Sequence, residues 1–74
     1  MTESLREIAD RADMIVNGYS FTKDGDAVRV LNLNRPEKAS VFRMDGEMLE
    51  TSMDDIELHI VQEYLAKNRR FLEA

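Results

Sequence analysis

The side chains with the widest chemical repertoire in this sequence are His59 and the acids around it. His59 is the only histidine, and Asp55 and Glu63 stand four residues before and after it, one helical turn to either side. Such a trio could hold a metal ion or orient an imidazole as a base. No cysteine and no second histidine joins it, so the pattern reads as a solvated helix face. Asp54, Asp55 and Glu57 suggest a divalent cation in the same way, but acids at the start of a helix are what its dipole favours. Asp24-Gly25-Asp26 resembles a piece of a calcium loop without that loop's alternating acids and distal glutamate, and a hairpin turn explains it better. The three glycines, at positions 18, 25 and 46, are too scattered for a phosphate loop. No nucleophile with a partner base can be assembled from one histidine and dispersed hydroxyls. No catalytic residue, cofactor or metal site is expected.

The elements that would position any function are few. The chain has 74 residues, so residues 1–74 are expected to form one domain. At that length a core seldom supplies more than about 3–5 kcal/mol, and the absence of cysteine removes disulfides and thiolate zinc as reinforcement. Good local structure or self-association must compensate. The start lacks a signal-peptide pattern, and no apolar run approaches the roughly 20 residues of a membrane span. These features, with the lack of cysteine, point to a soluble, cytoplasmic protein and no membrane contact. Fifteen acidic against ten basic residues give a net charge of −5, which opposes general binding to phosphate backbones.

The hydrophobic pattern predicts an α+β fold: an N-terminal helix, two antiparallel β-hairpins forming a four-stranded antiparallel sheet, and a C-terminal helix packed on the sheet. Leu5, Ile8, Ala9, Ala12 and Ile15 recur at helical spacing between Thr2 and about Val16, with Asn17 and Gly18 as the end of that helix. From Tyr19 to Asn32 the period becomes two, around the turn signal Asp24-Gly25. That turn sets Phe21 opposite Val28 and Tyr19 opposite Val30. Asn32 to Lys38, with the only proline, Pro36, reads as a connection. Asp45-Gly46 centres a second hairpin that sets Phe42 opposite Leu49. Ser52 is the expected N-cap of the last helix, which runs to about Leu72. Turn register and helical period together point Phe21, Val28, Val30, Phe42, Leu49, Ile56, Ile60 and Tyr64 inward.

The last helix is apolar over an unusually wide arc. Met53, Ile56, Ile60, Tyr64 and Phe71 form one stripe, and Leu58, Val61, Leu65, Asn68 and Leu72 form another. With the first stripe on the hairpins, the second needs its own cover, either the N-terminal helix or another molecule. Leu58, Val61, Leu65, Asn68 and Leu72 are therefore the expected partner-contact residues. Together these features indicate a small acidic protein-interaction or regulatory module without catalytic activity, binding a protein partner or itself as a homodimer. The alternative is a single-stranded nucleic-acid binder using a basic sheet surface of Arg29, Arg35, Lys38 and Arg43, with Tyr19 or Phe42 stacking on bases.

Overall fold

The computed structural model describes residues 11–73. They form five consecutive strands, β1 (Met14–Val16), β2 (Tyr19–Asp24), β3 (Ala27–Asn32), β4 (Ala39–Arg43) and β5 (Met48–Thr51), followed by one helix, α1 (Asp55–Glu73). The strands lie in the order β1-β2-β3-β4-β5, each antiparallel to the next. The sheet is an up-and-down meander with β1 and β5 as its edges, and α1 covers one face.

This corrects the expected architecture of an N-terminal helix over a four-stranded sheet. Met14–Val16, assigned from the sequence to the end of a helix, pair with Tyr19–Phe21 as a fifth strand. Of the rest of that expected helix, residues 2–10 lie outside the described residues. The physical reason is the Asn17-Gly18 pair, where both residues have positive φ, 48° and 82°. That conformation makes the tight turn whose twist matches a hairpin, and Asn-Gly is the pair that adopts it most readily. Asp13 fastens the new edge: its amide donates to the Phe21 carbonyl (3.0 Å) and its carboxylate accepts from the Lys23 amide (2.6 Å).

The β2–β3 hairpin turns one residue later than the sequence suggested. Asp24 pairs with Ala27, which leaves Gly25 and Asp26 as the turn, and Gly25 takes the positive φ (65°) that the first turn position of this hairpin class requires. Phe21 consequently faces Val30, and Lys23 faces Val28. The pairing moves by two residues along the partner strand, so every side chain keeps its face. Phe21, Val28 and Val30 are all fully buried.

The β4–β5 hairpin departs further. Its loop takes three residues, closed by Gly46 N–H to Arg43 O (2.8 Å) and Arg43 N–H to Glu47 O (2.7 Å), with Gly46 at φ 101°. A β-bulge follows, where Val41 pairs with Glu50 and Phe42 with Met48. Leu49 is the extra residue. It is 43% exposed, not buried as the simple register required.

Helix α1 begins where Asp54 caps it: Oδ1 accepts from the Glu57 amide (2.8 Å), and the carbonyl takes the first helical bond from Leu58 (2.9 Å). Ser52, the cap expected from the sequence, serves the sheet instead. Its hydroxyl accepts from the Ala39 amide (2.9 Å) and donates to the Glu37 carbonyl (2.7 Å). Asp54→Ala should therefore lower stability by about 1 kcal/mol in urea unfolding, the usual loss for a helix cap. An unchanged midpoint would assign the cap to another residue.

The core closes with the buried residues Met53, Val61, Leu65 and Leu72 packed against Phe21, Val28, Val30 and Phe42. The helix is thus turned from the expected orientation. Ile56 and Ile60, assigned inward from the sequence, are exposed, and Tyr64 is half-buried. Charge explains the choice. At about 100° per residue, Lys67 falls inside the Ile56-Ile60-Phe71 sector and Glu63 stands about 20° beyond its edge, so burying that sector would strip an ion of water and crowd a second. The Leu58-Val61-Leu65-Leu72 sector contains no polar residue; Asn68 and Arg69 stand about 20° beyond its two edges, half-buried, where the Asn68 amide donates to the Tyr64 carbonyl (2.9 Å) and the Arg69 guanidinium to the Asp45 carbonyl (3.2 Å).

Candidate functional site

The densest polar cluster lies where the first turns of α1 cross the sheet. Glu57 Oε2 accepts from the Tyr19 hydroxyl (2.7 Å) and from Asn32 Nδ2 (2.8 Å). The opposite end of the Asn32 side chain, Oδ1, accepts from the amides of Asn34 (2.9 Å) and Arg35 (3.0 Å). One buried asparagine thus shapes the β3–β4 connection and ties it to the helix. Alongside, Asn17 Nδ2 donates to the Tyr64 hydroxyl (2.9 Å), and the rings of Tyr19 and Tyr64 meet at 6.2 Å between centroids, tilted by 53°. The turn that makes β1 possible is therefore also pinned to α1.

Burial pushes the Tyr19 phenol up to about 12, helped by its hydrogen bond to Glu57 and by that carboxylate's negative charge. A phenol held neutral in this way is a donor to Glu57 and not a base at neutral pH. Each polar atom in these contacts faces another from a different element. The cluster positions α1 on the sheet.

The residues that the sequence offered for chemistry are dispersed. His59, Asp55 and Glu63 are exposed on α1, and among the described residues no group of three His, Asp or Glu side chains is placed to hold a metal ion. Asp24 lies at the β2–β3 turn, 4.0 Å from Arg29. Of the basic residues proposed for nucleic acid, Arg29 and Arg43 share one face of the sheet as diagonal neighbours on β3 and β4, and each of the others has a partner within the chain. Arg35 pairs with Glu37 (3.5 Å), Arg43 pairs with Glu47 (3.2 Å), and Lys38 Nζ donates to the Ser52 carbonyl (3.3 Å). Phe42 is wholly buried, and the half-buried Tyr19 ring lies beside Tyr64 with its hydroxyl bonded to Glu57. An open groove beside β4 and β5, lined by Ala39, Ser40, Val41, Glu50, Thr51 and Ser52, has its Ser40 and Thr51 hydroxyls bonded to each other (2.7 Å).

The expected partner-contact residues also move. Val61, Leu65 and Leu72 are buried against the sheet, and Leu58 and Asn68 are half-buried beside them. That stripe is taken up within the chain. The apolar residues left to solvent on α1 belong to the other stripe: Ile56 (76% exposed), Phe71 (63%) and Ile60 (37%). They lie within a sector of about 60°, along one flank of the buried face. Phe71 carries the Arg70 guanidinium 5.4 Å from its ring centre. The signal that could have found this surface was in the sequence, because Lys67 inside the sector and Glu63 at its edge mark it as the side facing water.

No helix among the described residues is long and apolar enough to cross a membrane. No curated protein and no solved structure matches the chain. The model of a family of unknown function, DUF7723, matches residues 2–72, nearly the whole sequence, and the chain belongs to that family.

Proposed function

We propose that this protein is a small acidic interaction module without catalytic activity, and that its contact surface is the outer flank of α1 around Ile56, Ile60 and Phe71. The observation that carries the reading is the exposure of these three large apolar side chains in one sector of a helix whose other face is already packed. Single exposed apolar residues are ordinary, whereas an aligned set on a rigid element is the usual form of a recognition surface. The sheet and the Tyr19-Asn32-Glu57 cluster are the scaffold that holds this helix in place. Supporting the absence of catalysis, the polar groups that converge at the helix–sheet junction are bonded to one another.

Site-specific photo-crosslinking in the cell that makes the protein tests this directly. A benzophenone side chain replacing Phe71 or Ile56 should form a covalent adduct, and one replacing the exposed Gln62, on a different side of the helix, should not. Equal adducts at all three positions, or none at any, would contradict the assignment.

A further inference from the structure

We infer that Asn17 is a site of spontaneous modification, where attack by the neighbouring Gly18 nitrogen turns the carboxamide into an acid and loosens β1 from the sheet. The Gly18 nitrogen passes its proton to hydroxide and bonds to Asn17 Cγ, while the Cγ–Nδ2 bond breaks, releasing ammonia and leaving a five-membered succinimide. Water then opens that ring. Hydrolysis at one carbonyl gives aspartate, and at the other an isoaspartyl link that carries the main chain through Cβ. The structure singles out this asparagine among the four in the chain. Asn17 is exposed, and the glycine after it has no side chain to shield its nitrogen. That nitrogen is also uncommitted, since the Gly18 N–H donates to no group among the described residues. The nitrogens that follow the other asparagines are engaged: Leu33 N–H donates to the Gly18 carbonyl (2.8 Å), Arg35 N–H to Asn32 Oδ1 (3.0 Å), and Arg69 lies within α1. The fold cannot exchange the reactive pair for a safer one. Both positions have positive φ, and a Cβ on Gly18 would come within 2.9 Å of Asn34 Nδ2. One contact restrains the reaction. Asn17 Nδ2 donates to the Tyr64 hydroxyl, and ring closure eclipses the Asn17 Cα–Cβ torsion, so the carboxamide must first leave Tyr64. The two products differ in effect. Aspartate keeps the backbone, and its carboxylate accepts from the same hydroxyl. The isoaspartyl link lengthens the turn that sets Val16 opposite Tyr19, and the three-residue β1 loses its register, leaving β2 as the edge of the sheet.

Peptide mapping of the full chain held at mildly alkaline pH should show the mass gain of an amide becoming an acid at Asn17 before Asn32, Asn34 or Asn68, with isoaspartate among the products. A folded Tyr64→Phe variant should react faster at Asn17. Hydrogen exchange should show protection lost at the β1 amides of isoaspartyl chains and kept in Asn17→Asp. Conversion at Asn17 no faster than at Asn34, a rate that Tyr64→Phe leaves unchanged or lowers, or isoaspartyl chains that keep their β1 protection would overturn the inference.

Discussion

Replacing Leu65 by alanine will cost about 2–5 kcal/mol, whereas replacing Ile56 by alanine in dilute protein will change stability by no more than about 0.5 kcal/mol. The contrast follows from burial. Leu65 is buried at the centre of α1, against a sheet face built from Phe21, Val28, Val30 and Phe42, and truncating it leaves a void that so few neighbours cannot fill. Ile56 has most of its surface in water already, and alanine is the better helix former. In a domain of this size the larger loss equals most of the folding free energy, so the Leu65→Ala protein should be largely unfolded at room temperature. Urea unfolding of the two variants reads both values. Equal losses would mean that α1 presents neither stripe uniquely to the sheet.

Glu57→Ala should cost about 2 kcal/mol, because two donors, the Tyr19 hydroxyl and Asn32 Nδ2, lose one shared charged acceptor at a half-buried position. The tyrosine also gives this contact a pH signature. Its pKa is raised on folding from an ordinary value of 10.0 to about 12, so the fold favours the neutral phenol. The stability this contributes is fully present below pH 10, and it is lost as the pH rises from there through about 12, where the folded protein also gives up the proton. Removing Glu57 should bring the transition down toward the ordinary value but not to it, since burial, the largest cause, remains. Tyrosinate absorbance in a Tyr64→Phe background isolates Tyr19, as the chain has two tyrosines. A titration identical with and without Glu57 would exclude the contact from the solution structure.

Much of the sheet was legible because its turn chemistry is local. Gly25 and Gly46 mark hairpins in the sequence, and the alternation around Phe21, Val28, Val30 and Phe42 assigns an inner face that survives a shift of the turn by one residue. The first hairpin was missed for a specific reason. Asn17-Gly18 suits both a helix end and a hairpin turn, and the helical spacing of the residues before it favoured the first, although Ile15 and Val16 are good strand formers. Leu49 was misplaced because a bulge leaves no mark in a short exposed strand. Asp54 and Ser52 are interchangeable as caps by type, and only the distant Ala39 amide and Glu37 carbonyl decide which of them is free to cap. The orientation of α1 was the costliest misreading for function. Counting apolar positions makes the two stripes equivalent, and they separate only when the charges inside each sector are weighed against the loss of water on burial.

Thiol labelling tests the central claim most directly, since a chain without cysteine accepts one wherever it is placed. In dilute protein, Ile56→Cys should react with a soluble maleimide as fast as an unstructured peptide thiol, and Val61→Cys should react only as fast as the domain opens. Protection at position 56 together with free reaction at position 61 would mean that α1 is turned the other way. The surface assigned to the partner would then be the core.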